Sequence, residues 1–147
     1  MHIIIAGRVD LISKVGDCYV MTVLQETNEK DFKCRQSIPI VMLCPPPAGT
    51  NKVYCFKCSM ASEGRALVCD LWCESDSMEH QNFVYTQGVY KTDPLMVGEM
   101  PVSPFHKGPG DKFNGKVMDV FGSIIIGEHG KLLLHMVGAW LCKNTSP

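Results

Sequence analysis

Apolar and β-branched runs of strand length, separated by Gly/Pro-rich turn clusters, recur along most of this chain, whereas helix signals are poor. That pattern restricts the chain to an all-β fold. His2 to Leu11 is rich in β-branched residues, with Ile3, Ile5 and Val9 on one parity. Ser13-Lys14-Val15-Gly16-Asp17 is a turn cluster, and Cys18 to Gln25 makes a second strand. Glu26 to Lys33 is polar and charged and is expected to be a solvated loop. Ile38 to Cys44 is a third strand; Pro39 cannot donate a ladder hydrogen bond, which argues for an edge or a strand start there. Pro45-Pro46-Pro47-Ala48-Gly49 ends it.

Lys52 to Met60 and Ala66 to Glu74 are predicted to pair as a hairpin through the turn residues 61–65. Strict alternation puts Leu67, Cys69, Leu71 and Cys73 on one face, and Asp70, Trp72 and Glu74 on the wetter one. Ser75 to Asn82 is a polar boundary. Beyond it, Phe83 to Lys91 is a strand, and Asp93 to Phe113, with Pro94, Pro101, Pro104 and Pro109, reads as extended loop. Lys116 to Phe121, Ser123 to Ile126 and Lys131 to Leu141 are further strands, the last two joined at Gly127-Glu128-His129-Gly130. The expected organisation is a small five-stranded OB-like barrel over residues 1–75, followed by a loop-rich β extension over residues 76–147 packed on or beside it.

At 147 residues, 46% hydrophobic and 20% charged, the chain can bury a core without staples, so disorder is not expected. The net charge of −1 excludes a generally basic nucleic-acid magnet. Residues 1–67 carry +2 and residues 68–147 carry −3, which permits a cationic groove on the first half. No apolar run reaches the roughly 20 residues of a membrane helix. The apolar opening is too short for a signal peptide, so the acceptor-like Asn144-Thr145-Ser146 is ignored. Most of the eight cysteines lie in strand-like runs, as small buried hydrophobes do in a reducing compartment. A soluble cytoplasmic protein is expected.

Residues 2–74 resemble the OB-fold single-stranded-DNA-binding proteins. Ile3-Ile4-Ile5-Ala6-Gly7-Arg8-Val9 is similar to that family's opening apolar strand ending in Gly-Arg. Tyr19-Val20-Met21-Thr22-Val23, Ile38 to Leu43, and Gly49-Thr50-Asn51-Lys52-Val53-Tyr54 follow in the family's order. Pro45 to Asn51 leaves no room for the helix usual between the third and fourth strands, which is nearer the helix-less primosomal replication protein B group. The family's acidic C-terminal tail is missing, since the chain ends Lys143-Asn144-Thr145-Ser146-Pro147, and residues 83–142 have no counterpart.

The resemblance implies a homo-oligomer that grips single-stranded nucleic acid, DNA first, in a groove of cations and aromatics. It also implies a role in DNA replication; with no nucleophile or ligand motif in the sequence, neither a cofactor nor catalysis is expected, and an enzyme on a β-barrel is the weaker reading. Ring stacking is worth roughly 1–3 kcal/mol per base, and Lys and Arg track phosphates. The candidate residues are Arg8, Lys14, Tyr19, Lys33, Arg35, Tyr54, Phe56, Lys57, Arg65 and Trp72.

Each has a plainer reading. Tyr54 and Phe56 share parity with Cys58 and Met60, which favours core aromatics over stackers. Trp72 either stacks or lies half-buried under the extension. Lys33 and Arg35 either close over a strand or form a solvated charge cluster, and Arg8 can pair with an acid. Cys55, Cys58, Cys69 and Cys73 are the alternative as zinc ligands, but they lack knuckle turns and sit in strand pattern. Gly110 to Lys116 has phosphate-loop spacing, yet Val117 replaces the magnesium-binding hydroxyl and a strand follows, so it is rejected. The five histidines show no ligand spacing. The rival function is a structural or assembly β-protein without nucleic-acid activity, whose extension clasps a neighbour.

Overall fold

The computed structural model describes residues 2–30, 32–50, 52–75, 82–104 and 108–142. Its first hairpin shows how local chemistry sets the register. Strand β1 (Ile3–Val15) returns into β2 (Cys18–Glu29) through two residues, with Val15 opposite Cys18. Gly16 makes that turn at φ 62°, where a side chain would be strained. The strand therefore runs further into the Ser13–Asp17 cluster than the composition suggests.

β2 pairs along its length with β3 (Phe32–Met42). The expected loop over Glu26 to Lys33 is thus mostly strand, β2 ending only at Glu29 and β3 beginning at Phe32. The correction has a physical cause: the polar side chains that made the run look solvated find buried partners. Glu29 Oε2 lies 2.8 Å from Nε2 of the buried His135, and just before the run Gln25 Nε2 donates to the Ala6 carbonyl at 2.8 Å while its Oε1 accepts from the Ile124 amide at 3.2 Å. The Thr27 and Ser123 hydroxyls meet at 2.5 Å. Satisfied in this way, buried polar groups cost the strand little.

β4 (Val53–Met60) and β5 (Leu67–Glu74) form the expected hairpin. β4 pairs antiparallel with β1, and β5 pairs parallel with β3 through Ile40–Leu67, Val41–Val68 and Met42–Cys69. Five strands in a ring cannot all alternate in direction, so one junction must be parallel; here it is β3–β5. The result is a closed barrel in the order β1-β2-β3-β5-β4, the OB-like connection. Pro39 sits in mid-strand opposite Thr22, one residue before β5 joins β3, where the second edge of β3 is still unpaired.

The extension consists of β6 (Phe83–Thr92), β7 (Leu95–Val97), β8 (Met100–Pro101), β9 (Val117–Ile126) and β10 (Leu132–Leu141). β6 pairs with the first half of β1 on the side away from β4, and β9 and β10 add outward in turn. The described residues from Asp93 to Phe113 include the short β7–β8 hairpin and a 3-10 turn at Asp111–Phe113. The two strands expected on either side of Gly122 are one.

A single buried cluster runs from Ile3, Met21 and Ile40 in the barrel to Tyr90, Met118 and Leu132 in the extension. Among the described residues there is no α-helix, and no helix long and apolar enough to cross a membrane. Residues 76–81 at the expected boundary, including His80, lie outside the described residues, as do His106 and the tail from Lys143.

Candidate nucleic-acid interface

Alternation along β1, β2 and β3 decides which side chains can reach a ligand on the barrel wall. Residues directly opposite on neighbouring strands share a face. Met21, Val23, Ile38 and Ile40 point inward and are fully buried. The opposite parity builds the outer wall: Glu26 opposite Arg35, Leu24 opposite Ser37, Thr22 opposite Pro39, with Leu11 beside Thr22. A bulge at Asp10 shifts the register of β1 and turns that carboxylate outward as well.

Arg8, Lys33 and Arg35 are all exposed on this wall. Arg35 Nε lies 3.2 Å from Glu26 Oε1, with both side chains more than half exposed. Such a pair contributes little to stability and leaves the guanidinium able to exchange partners. The Ser37 hydroxyl donates to Asp10 Oδ2 at 3.5 Å. Lys14 stands opposite Tyr19, on the parity of Ile12 and Met21, so it projects at the barrel end and is not on this wall. The extension packs on the inward parity of the β2–β3 hairpin, through Gln25, Thr27 and Gln36. Asn82 also bonds the Glu26 backbone, and among the described residues Arg8, Lys33 and Arg35 stay exposed on the outer wall.

The other candidates do not join this group. Phe56 is fully buried and Tyr54 is 2% exposed, so neither offers a stacking face; both are core rings. Tyr19 is half-buried and packs on the core at the barrel end. Phe32, the other aromatic of β1–β3, stacks on His135 with centroids 5.0 Å apart. Lys57 lies on β4, flanked in register by Ile4 and Leu71. Arg65 sits in the β4–β5 turn with its Nη1 3.6 Å from Glu63 Oε2.

Trp72 is also displaced from its expected face. β5 carries a bulge at Asp70, because Lys57 pairs with Leu71 while Cys58 pairs with Cys69. The extra residue reverses the parity beyond it. Leu71 and Cys73, expected beside Leu67 and Cys69, become exposed, and Trp72 turns toward the core. Its ring meets Tyr54 edge-on at 5.4 Å, and Nε1 donates to the Pro45 carbonyl at 2.7 Å. Trp72→Ala is expected to cost about 2 kcal/mol of folding stability from this half-buried site, measured by urea unfolding, with oligonucleotide affinity of the folded variant unchanged.

The cysteines do not converge as zinc ligands. Cys55 faces Cys73 across the hairpin and Cys58 faces Cys69, but the first pair lies on the outer face and the second in the core. The Cys69 thiol donates to the Leu71 carbonyl at 3.1 Å, and hydrogen bonding to Cys69 together with burial pushes the Cys58 thiol up. No cluster of three or more His, Cys, Asp or Glu placed for a metal occurs among the described residues.

A second exposed surface, not anticipated from the sequence, lies on the extension. Tyr85 pairs with Phe121, and Phe121 with Gly138, on the outward face. The Trp140 ring folds over Gly138, where a Cβ would lie 2.7 Å from it, and meets Phe121 edge-on at 5.8 Å. Phe121 is 41% and Trp140 57% exposed. The Tyr85 hydroxyl donates to Asp119 Oδ1 at 2.7 Å, and that bond, with some burial, pushes its ionisation up to about 12. The shared parity of Phe83 and Tyr85 was the available signal; without the strand order it could not be joined to Phe121 and Trp140.

The chain is thus an OB-like barrel carrying a β extension. No family model matches it, and no curated protein matches its sequence.

Proposed function

We propose that the protein binds single-stranded nucleic acid along the outer wall of β1, β2 and β3, with little sequence preference. The observation that carries the reading is the wall itself: Arg8, Lys33 and Arg35 stand exposed on one face of β1–β3, where Asp10 accepts from Ser37 and Glu26 holds Arg35 only through a pair more than half exposed on both sides. No aromatic ring of β1–β3 faces outward there, so contacts to phosphate rather than stacking supply the affinity. Binding of that kind is moderate and falls steeply with salt. A flexible single strand can follow the curved wall, whereas a stiff duplex touches it at few points.

The expected result is low-salt binding of a labelled oligo(dT) by fluorescence anisotropy, displaced by unlabelled single strands and poorly by duplex. Equal competition by duplex, or no binding at low salt, would refute the reading.

One observation favours the assembly reading as well. β10 is an edge strand, and its sequence LLLHMVGAWL holds no Lys, Arg, Asp, Glu or Pro, the residues that normally protect an edge. The Leu132 amide and the Leu134 carbonyl are taken by Gly64 and Ser103. The remaining half presents Val137, Trp140 and Leu141 at 62%, 57% and 47% exposure. Antiparallel pairing with the same strand of a second copy would cover it. Light scattering after gel filtration is expected to show a dimer that Val137→Lys converts to monomer; a monomeric native protein would exclude this contact.

A further inference from the structure

The outer face of the β4–β5 hairpin places two thiols directly across from each other. Cys55 and Cys73 are register partners on adjacent antiparallel strands and project to the same side. Opposite residues in such a ladder have Cα atoms about 4.5–5.5 Å apart, inside the roughly 4.4–6.8 Å span a disulfide needs. Cys73 is exposed and Cys55 half-buried, both unpaired as disulfides. They border a shallow apolar recess of about 330 Å³, lined also by Ile4, Leu71 and Trp72. The bulge at Asp70 creates this arrangement: without it, Cys73 would fall on the core side with Cys69.

We propose that Cys55 and Cys73 form a redox-sensitive dithiol that a small disulfide, such as oxidised glutathione, converts to a cross-strand disulfide. Cys73, the more accessible sulfur, attacks first as its thiolate, having given its proton to solvent. The glutathione S–S bond breaks, a bond from Cys73 to one glutathionyl sulfur forms, and the other leaves as thiolate and takes up a proton. Cys55 then loses its proton and attacks the Cys73 sulfur, releasing the second glutathione. Two protein thiols are oxidised and one glutathione disulfide is reduced to two thiols. Burial and the nearby Cys73 push the Cys55 thiol up, while its hydrogen bond with Ser75 acts the other way; Cys55 is therefore the resolving partner. The core pair Cys58 and Cys69 lies across the same hairpin but is buried at 2% and 0% exposure, away from any soluble oxidant.

The test uses the full chain incubated with oxidised glutathione and then alkylated under denaturing conditions. Reactive thiols are expected to fall from the eight of the reduced chain to six. Peptide mapping should join the Cys55 and Cys73 peptides, with the intact mass lower by two hydrogens. Cys55→Ser should stop at a glutathione adduct on Cys73, and Cys73→Ser should yield no Cys55 crosslink; Cys58→Ser should still form the native pair. Eight thiols remaining, or a disulfide mapping to other cysteines while Cys55 and Cys73 stay free, would overturn the proposal. Because the wild-type mapping needs no variant, a substitution that failed to fold would leave the test intact.

Discussion

Gly122→Ala is expected to remove about 3 kcal/mol or more of folding stability, a large part of what a domain of this kind has. Gly122 lies inside β9 opposite Met136, in the interior of the extension. A Cβ there would sit 1.9 Å from the His135 carbonyl oxygen and 2.9 Å from its carbon. Those are backbone atoms of the neighbouring strand, so no rotamer change relieves the clash. β10 would have to move away from β9, lengthening ladder hydrogen bonds and opening the core around Leu134 and Met136. The loss is expected to lower the midpoint of thermal unfolding by roughly 10 °C. Gly49→Ala is the control, since nothing lies within 4 Å of its Cβ position; its unfolding should be unchanged. A Gly122→Ala protein as stable as the parent would show that β9 and β10 do not approach as described.

Phe56→Ala is expected to cost about 3–5 kcal/mol, the usual range for emptying a fully buried aromatic site. The ring is inaccessible to solvent and lies 6.1 Å from Tyr54, centroid to centroid, in the barrel core. This result also separates two roles that the sequence left open. A core ring registers in urea unfolding and leaves oligonucleotide affinity intact wherever the variant still folds. A stacking ring would do the reverse.

Period-two alternation made most of the fold legible. It located β1, the β4–β5 hairpin, β6 and the β9–β10 hairpin, and it placed Tyr54 and Phe56 with Cys58 on what proved to be the inner face. It failed where a strand breaks its own period. The extra residue at Asp70 exchanges the faces of Leu71, Trp72 and Cys73, and nothing in Cys69-Asp70-Leu71-Trp72-Cys73 marks a bulge rather than continuous alternation. It failed again at Thr27 and Glu29. Their polarity suggested solvent, but their partners, Ser123 and His135, lie about a hundred residues away. Composition reports the cost of burying a polar group and is blind to the distant group that offsets it.

The candidate site divides along the same line. Arg8, Lys33 and Arg35 fall on one wall because a strand charge turns outward unless a buried partner meets it, as His135 meets Glu29. The aromatics were a poorer guide, because a ring is equally at home in a core and on a binding surface. Three of the ten candidate residues form a cationic track, and the candidate rings belong to the core or to its margin. The exposed rings of this molecule are on the extension instead.

The salt dependence of oligonucleotide binding tests the central claim most directly. For single strands the logarithm of affinity falls with the logarithm of salt concentration at about 0.7 per phosphate contacted. With Arg8, Lys33 and Arg35 engaged, a slope of about −2 is expected, and Arg8→Ala, Lys33→Ala and Arg35→Ala combined should bring it close to zero. A slope that the triple substitution leaves unchanged would place the contacts elsewhere on the molecule and contradict the account.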